Sequence, residues 1–157
     1  MIRRCLFLAL LALSLPAFAG GPTVEPLSAA GVPALTKAPA HGARIVSIWA
    51  LDCAYCEANM QVAAQAARAA PGQVELVTVA TDRIALKAQI AARLAAAHMD
   101  AFPARAYTEA SPERINFLID PDWGGETPRT IVIHADGRRA AASGALTAAK
   151  LQKLLAN

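Results

Sequence analysis

Two cysteines, Cys53 and Cys56, lie three positions apart in the stretch SIWALDCAYCEANM. Cysteine thiolates bind metal ions, close disulfides and attack other disulfides, so the pair is a candidate metal site, structural disulfide or redox-active disulfide. A short apolar run ends just before the pair, and a helix-like segment follows it. The choice among the three chemistries depends on the elements that position the two sulfur atoms.

The other potential ligands of the chain disfavour a metal site. A structural zinc ion normally takes four protein ligands. The sequence offers a third cysteine near the N-terminus and three scattered histidines, His41, His98 and His134, but no second CxxC motif. A structural disulfide of this spacing closes a very small loop, so it restricts the unfolded chain only slightly. A redox-active pair is therefore favoured, with the structural disulfide as an alternative.

The N-terminus has the features of a secretory signal peptide. Arg3 and Arg4 precede an apolar stretch at residues 5–15, and Ala17-Phe18-Ala19 forms a small-x-small cleavage pattern. The apolar stretch is shorter than the ~20 residues needed to span a bilayer. We expect residues 1–19 to be a cleavable signal peptide that directs the protein to the periplasm, and an uncleaved membrane anchor is the alternative.

Composition describes a small mature protein with little net charge. The 157 residues suggest one domain, and the 55% apolar and 5% aromatic content suggests a core of Ala, Leu, Ile and Val. Without residues 1–19, Lys plus Arg falls from 15 to 13 while Asp plus Glu stays at 12, so the net charge falls from +3 to +1. The absence of a basic stripe excludes nucleic acid as the expected partner. Only Cys53 and Cys56 then remain, and in an oxidising compartment they form a disulfide unless something reduces them.

The first half of the chain alternates predicted strands and helices. Residues 20–43 are rich in Gly, Pro and Ala and are expected to form an N-terminal tail that packs loosely or forms short strands. The apolar run 44–51 predicts a buried strand, Asp52 a helix N-cap, and residues 54–70 a helix. Residues 73–80 alternate and predict a second strand. Thr81 and Asp82 are then expected to cap a helix that ends near residue 98.

The second half predicts an irregular connection and a closing hairpin. Residues 99–114 contain two prolines and are expected to be irregular, and 115–120 predict a short strand. Residues 129–144 predict a hairpin with an Asp136-Gly137 turn, and the chain ends in an amphipathic helix capped by Thr147. We therefore expect an α/β domain at residues 44–157, with a central mixed sheet, helices on both faces and an extended connection before the final hairpin.

The predicted elements place Cys53 where a strand ends and a helix begins. The unpaired N–H groups and the dipole of a helix N-terminus favour an anion such as a thiolate, which is the nucleophilic form of cysteine. Cys56 falls on the same helix face, where Cβ atoms are about 5–6 Å apart. A small adjustment therefore opens or closes a disulfide. Further along, Pro128 directly precedes a predicted strand, and X-Pro bonds are the ones that readily adopt the cis form.

With these motifs the chain resembles the thioredoxin superfamily, and most closely the exported TlpA-like thiol:disulfide oxidoreductases. The resemblance covers about residues 44–155 and rests on WALDCAYC after a buried strand, TP before the next-to-last strand, the ADG hairpin and the final helix. It implies a thioredoxin-like fold. It also implies that Cys53 is the nucleophile, Cys56 the resolving thiol and Pro128 a cis-proline. The backbone of Thr127 would pair with a substrate strand. Trp49 matches a tryptophan of the family and would contribute to substrate binding, with a core aromatic beside the site as the alternative.

The chain departs from the family beside the first cysteine. Asp52 stands where the family usually has Trp, and Ser47 stands where thioredoxins carry a buried Asp. A carboxylate next to Cys53 disfavours the thiolate and should raise the pKa of Cys53. A less stabilised thiolate makes the disulfide more stable and the couple more reducing. Asp52 is therefore expected to modulate this pKa. Glu57 and Glu126 are candidate groups for proton transfer to or from Cys56, with solvated surface charges as the alternative for each.

The resulting hypothesis is an exported enzyme that exchanges disulfides with protein cysteines, on the reducing side. The expected partners are protein thiols or disulfides and a membrane or periplasmic redox protein, and the expected state is a monomer without metal or organic cofactor. The alternative is a thioredoxin-fold binding or chaperone module without significant redox activity. Among the aromatic side chains of the long connection, Phe117 is expected in the core and Trp123 at the rim of the site.

Overall fold

The computed structural model describes residues 22–156. The expected signal peptide at residues 1–19 lies outside the described residues, as does the beginning of the predicted tail. In the part that is described, no helix is long and apolar enough to cross a membrane.

One mixed sheet forms the centre of the described chain. Its strands, in chain order, are β1 (Val24–Leu27), β2 (Ala43–Trp49), β3 (Val74–Arg83), β4 (Ala104–Tyr107), β5 (Arg129–His134) and β6 (Arg139–Ser143). The spatial order is β1-β4-β3-β2-β5-β6, in which the first four strands are parallel, while β5 is antiparallel to both β2 and β6. The predicted mixed sheet is confirmed.

Five α-helices cover the two faces of this sheet. They are α1 (Val32–Thr36), α2 (Cys56–Ala69), α3 (Lys87–Ala96), α4 (Glu113–Ile119) and α5 (Ala148–Ala156). Successive side chains of a strand point to opposite faces. In β2, Ile45 and Trp49 accordingly join the core under α2, α3 and α5, while Val46 and Ile48 join the core under α1 and α4. The predicted covering of both faces is confirmed.

The predicted N-terminal tail contributes a strand and a short helix. Strand β1 pairs in parallel with β4 and forms one edge of the sheet. Pro26 is tolerated there because an edge strand need not donate every N–H to a neighbour. The side chains of Leu27, Val32 and Leu35 are buried in the core under α1 and α4.

Helix α2 begins later than the sequence pattern predicts. Its first residue is Cys56, and Tyr55 is the N-cap residue, without a side-chain capping bond. The prediction that Asp52 caps this helix is therefore wrong, because a turn at residues 50–55 separates β2 from α2. Cys53 lies in that turn, three positions before the helix starts.

Strand β3 continues past the point where a helix was expected. It includes Thr81 and Asp82, so the prediction that these two residues cap a helix is wrong. A 3-10 turn at Ile84–Leu86 follows, and α3 begins only at Lys87. The polar side chains at the end of β3 are used instead to bond the turn after β2.

The long connection contains a strand and a helix that the pattern did not indicate. Strand β4 lies within the stretch expected to be irregular, and residues 115–120 belong to helix α4 rather than to a strand. The buried residues Ile115 and Ile119 are four positions apart, which is the helical period, whereas Phe117 is 61% exposed. The expectation of a buried Phe117 is therefore also wrong.

The C-terminal hairpin and helix match their predictions. Strands β5 and β6 pair with Arg129 opposite Ser143, and Gly137 adopts a positive φ of 88° in the turn between them. The Thr147 hydroxyl accepts a hydrogen bond from the Lys150 amide at 3.1 Å, as expected for the N-cap of α5.

Candidate functional site

The two cysteines close a disulfide across the start of α2. Cys53 and Cys56 are bonded, with their Cα atoms 5.5 Å apart. The Cys53 amide donates to the Ala50 carbonyl at 3.2 Å, which folds the turn before the helix. Cys53 is partly exposed, whereas Cys56 is 2% exposed and belongs to the core. A molecule arriving from solvent therefore meets the Cys53 sulfur first.

Side chains at the end of β3 hold the turn that carries Cys53. The regular pairing of β2 with β3 ends at Trp49 opposite Ala80. Beyond it, the Asp82 carboxylate accepts a hydrogen bond from the Leu51 amide at 2.8 Å, and the Thr81 hydroxyl donates to the Trp49 carbonyl at 3.4 Å. These bonds extend the connection between the two strands into the turn.

Pro128 comes to the same end of the sheet from a distant part of the sequence. In the antiparallel register of β2 and β5, Ile48 faces Arg129, so continuation of the register sets Pro128 opposite Trp49. The Thr127–Pro128 peptide bond is cis, and the Pro128 carbonyl accepts from the Gly144 amide at 2.9 Å. Pro128 is buried and Thr127 partly exposed. The fold therefore brings Pro128 beside the strand that leads into the cysteine turn.

A network of charged side chains fixes the chain on both sides of Pro128. Arg129 donates to Asp120 at 2.5 Å and to the Ser143 hydroxyl at 2.8 Å. Ser143 in turn donates to the Glu126 carboxylate, and this hydrogen bond, together with the positive charge of Arg129, lowers the pKa of Glu126. The Trp123 indole donates to the Glu126 carbonyl at 2.8 Å. The connection that leads to Pro128 is thus tied to the hairpin that follows it.

Solved structures with the same arrangement of strands and helices are thioredoxin-related. A thioredoxin-related protein from Neisseria meningitidis serogroup B superposes with a TM-score of 0.58 at 25% identity, over 76% of this chain and 84% of that chain. A DsbF homologue from Corynebacterium diphtheriae gives 0.59 at 18% identity, over 73% and 71% of the two chains. A secreted disulfide oxidoreductase from Mycobacterium tuberculosis, homologous to E. coli DsbE, gives 0.56 at 18% identity, over 73% and 81%.

The chain has a thioredoxin-like fold. Its structural neighbours include a disulfide oxidoreductase and a thiol:disulfide interchange protein of the thioredoxin family. No protein-family model matches the sequence, and no curated protein matches it either. The likeness is therefore carried by the three-dimensional structure.

Trp49 lies in the core of the thioredoxin-like fold, beneath the site. Its side chain is 1% exposed and packs in the same cluster as Cys56 and Met60. Its indole Nε1 is buried and has no hydrogen-bond partner among the described residues. Its position on the inward face of β2 is that of a core aromatic beside the site, which is the alternative to a role in substrate binding. Trp123, expected at the rim, is likewise buried.

The exposed residues next to the disulfide in sequence are Asp52, Ala54 and Tyr55, of which Asp52 and Tyr55 carry polar or aromatic groups. Asp52 is exposed in the turn directly before Cys53, and Tyr55, between the cysteines, is 73% exposed. Glu57 forms an ion pair with Arg93 at 3.4 Å on the surface of α2 and α3. The immediate surface of the site thus carries one aromatic ring and an excess of negative charge.

Sequence reasoning missed Asn59, which lies on the buried face of α2. The buried positions of this helix include 56, 59, 60, 63, 64 and 67, so Asn59 is a polar residue within an apolar stripe. That interruption was the available signal, since buried amides are kept for hydrogen bonds. The partners of Asn59 come from the chain after β6, and no local pattern indicates them.

The histidines do not gather with the cysteines. Within residues 22–156, no three His, Cys, Asp or Glu side chains are close enough to hold a metal ion. His134 is buried at the end of β5, with its Nε2 3.1 Å from the Leu154 carbonyl. It joins the sheet to α5 at the opposite end of β5 from Pro128.

Proposed function

We propose that this protein is an exported thiol:disulfide oxidoreductase that exchanges disulfides with protein cysteines through Cys53 and Cys56. The observation that carries the proposal is the disulfide at the start of α2, in which Cys53 is partly exposed and Cys56 is buried. The thioredoxin-like fold and the oxidoreductases among its structural neighbours support the same chemistry. The WALDCAYC motif favours the TlpA-like type within that class.

The exchange proceeds through a mixed disulfide. The Cys53 thiolate attacks one sulfur of a substrate disulfide and releases the other substrate sulfur as a thiolate. The Cys56 thiolate then attacks the Cys53 sulfur, which closes the Cys53–Cys56 disulfide and releases the second substrate thiolate. The substrate gains two electrons, and the two protons lost by the cysteines pass to it through water. Helix α2 assists because its N-terminal dipole stabilises a thiolate in the adjoining turn.

Residues next to the disulfide provide a platform for a protein substrate. The backbone of Thr127 precedes β5 at the end of the sheet nearest to Cys53, where an extended substrate segment could add hydrogen bonds. Tyr55 presents an exposed aromatic ring on the other side of the sulfur pair. The partners proposed are therefore proteins with thiols or disulfides, bound by a monomer that needs no cofactor.

The proposed direction is reduction of substrates. The exposed carboxylate of Asp52 adjoins Cys53, and the residues next to it in sequence carry no positive charge. Negative charge there disfavours the thiolate, which makes the dithiol a stronger reductant. A membrane or periplasmic dithiol protein would return the oxidised pair to the dithiol form. The N-terminal pattern at residues 1–19 supports action in the periplasm.

Reduction of insulin by a dithiol donor tests the enzymatic role. The protein lacking residues 1–19 should accelerate the reaction. Cys53→Ser should reduce the rate to that of the donor alone, because the remaining thiol, Cys56, is buried. Cys56→Ser should accumulate a mixed disulfide with the substrate, visible on a non-reducing gel, because the resolving thiol is absent.

Equal rates for wild type and Cys53→Ser would overturn the oxidoreductase proposal and favour a binding or chaperone module. Thermal unfolding of the reduced proteins is the control, since neither serine should change the reduced fold substantially. A Cys56→Ser variant that forms no mixed disulfide, although it is folded, would also contradict the proposed order of attack.

A further inference from the structure

Asn59 is a buried amide on the helix that carries Cys56. It lies three residues after Cys56, on the same face of α2, and is 2% exposed. A buried polar side chain requires hydrogen-bond partners, because an unsatisfied buried amide lowers the free energy of unfolding. The position of those partners shows what Asn59 connects.

Both polar atoms of the Asn59 side chain form hydrogen bonds with the segment between β6 and α5. The Nδ2 group donates to the Gly144 carbonyl at 2.8 Å, and the Oδ1 atom accepts from the Leu146 amide at 3.0 Å. The two partners are backbone groups more than 80 residues away in sequence. Asn59 therefore ties α2 to the segment 144–146 with two directional bonds.

The same segment bonds Pro128. The Gly144 amide donates to the Pro128 carbonyl at 2.9 Å, while the Gly144 carbonyl accepts from Asn59. A continuous chain of hydrogen bonds thus runs from α2, which begins at Cys56, through Asn59 and Gly144 to Pro128. Gly144 adopts a positive φ of 76° in this chain, a conformation that suits glycine.

The rest of the α2 contact face is poorly suited to fix the helix position. Apart from Met60, its buried residues beyond Asn59 are the alanines Ala63, Ala64 and Ala67. Alanine buries little area and has no side-chain shape to define a register. Directional bonds from Asn59 supply what the small side chains lack.

We propose that Asn59 is a positioning residue that fixes the spacing between the Cys53–Cys56 pair and Pro128 for reaction with protein substrates. The inference rests on the proposed oxidoreductase function. A protein substrate must reach the Cys53 sulfur while its backbone lies against the Pro128 region, so it needs both parts in a fixed relation. A small dithiol needs only the sulfur. Loss of Asn59 should therefore affect the two kinds of substrate differently.

The test compares a protein substrate with a small thiol. For Asn59→Ala, kcat/KM for insulin reduction should fall about tenfold or more, mainly through KM, because misplacement of a bound substrate by about 1 Å can cost up to a hundredfold. The rate at which dithiothreitol reduces the Cys53–Cys56 disulfide should stay within about twofold of wild type, because this reaction uses no platform.

Two pairs of variants separate positioning from general damage. Asn116→Ala removes another side-chain amide, which accepts from the Tyr107 hydroxyl at 2.7 Å on the opposite face of the sheet. Gly144→Ala and Gly137→Ala both introduce a Cβ into open space at a positive φ, of 76° and 88°, so both carry similar backbone strain. Asn59→Ala and Gly144→Ala should lose activity on insulin selectively, whereas Asn116→Ala and Gly137→Ala should not.

If Asn59→Ala slows insulin reduction and the reaction with dithiothreitol equally, or slows neither, the inference is overturned. The proposed function would still stand in that case, provided that the wild-type protein reduces insulin. A wild-type protein that fails to reduce insulin would instead refute the proposed function, and the inference with it. If Asn59→Ala does not fold, Gly144→Ala decides by the same comparison with Gly137→Ala.

Discussion

Cys53 and Cys56 are three positions apart, yet they lie in different environments. Cys53 is in a turn and partly exposed, while Cys56 begins a helix and is buried against Met60 and Trp49. An attacking thiol must reach solvent, whereas a resolving thiol needs to reach only its neighbour. The difference in exposure therefore assigns the two proposed roles without reference to sequence order.

Asp52 is the residue at which the direction of the reaction can be tested. The reduction potential of the wild-type couple, measured against glutathione or dithiothreitol buffers, should lie nearer to about −270 mV than to about −120 mV. Asp52→Asn should raise the rate of alkylation of Cys53 near pH 7 about threefold, because removal of a negative charge beside the sulfur favours the thiolate.

Asp100→Asn is the matched control for this change, because Asp100 is an exposed aspartate that precedes β4, at the other end of the parallel strands. It should leave the alkylation profile of Cys53 unaltered. A potential close to that of strong oxidants, or the same profile for Asp52→Asn and wild type, would contradict the role assigned to Asp52.

Strand β3 is the element that secures the reactive turn. Its last residues extend past the regular pairing with β2, and there Asp82 bonds the Leu51 amide at 2.8 Å. Helix α2 cannot perform this function because it begins only after the turn. The site is thus held by a neighbouring strand on one side and, through Asn59, by the segment 144–146 on the other.

Asp82 variants test this attachment. Asp82→Ala should lower the free energy of unfolding of the oxidised protein by about 1 kcal/mol, because the Leu51 amide loses its acceptor. Asp82→Asn should lower it less, since the amide Oδ1 can accept the same bond. Urea denaturation followed by tryptophan fluorescence measures both, and Asp122→Ala at an exposed position is the control. Identical losses for Asp82→Ala and Asp82→Asn would argue against the bond.

At the scale of the whole molecule, the order of the strands assembles the site. The parallel pairing of β2 with β3 puts the C-terminal ends of both strands at one end of the sheet. The antiparallel pairing of β2 with β5 brings the start of β5 to the same end. Cys53, Asp82 and Pro128 therefore lie at the same end of the sheet although they are far apart in sequence. Strand β4, which the sequence did not predict, lies between β3 and β1. Strand β1 is therefore the outermost strand on the side of the sheet away from β2.

Tyr107, in the core under α1 and α4, should make the free energy of unfolding depend on pH in the alkaline range. Tyr107 is 0% exposed there, and burial raises its pKa above the ordinary value of about 10. The unfolded chain then loses the tyrosine proton before the folded protein does. Stability due to the protonated phenol is complete below pH ~10, and the free energy of unfolding should fall by up to about 1.4 kcal/mol per pH unit above it.

Tyr107→Phe should remove this pH dependence, at a cost of about 1 kcal/mol at neutral pH for the lost bond to Asn116. Denaturant unfolding between pH 8 and about 11.5 measures the two slopes. Tyr55→Phe serves as the control, because that side chain is 73% exposed. Parallel pH curves for wild type and Tyr107→Phe would refute the prediction.

Local patterns predicted those parts of the fold whose partners are close in sequence. The run before Cys53 becomes β2, the Asp136-Gly137 turn joins β5 to β6, and Thr147 caps α5. Each depends on side-chain alternation, a short turn with Gly137 at a positive φ, or a capping bond within a few residues. The prediction of a strand at residues 115–120 is wrong because a short apolar run is compatible with a strand or a helix. In the structure these residues form a helix, in which Ile115 is buried and Asn116 accepts a hydrogen bond from Tyr107.

The sequence by itself determined the chemistry available to this protein: two cysteines in a CxxC motif between a strand and a helix, and a proline before a later strand. Side-chain type and short-range spacing are sufficient for that. The tertiary structure alone decided which sulfur is exposed, that Asp82 bonds the cysteine turn instead of capping a helix, and that Asn59 connects α2 with Pro128. The bonds of Asp82 and Asn59 join residues 31 to 87 positions apart. Sheet order and helix packing create them, so no local pattern encodes them.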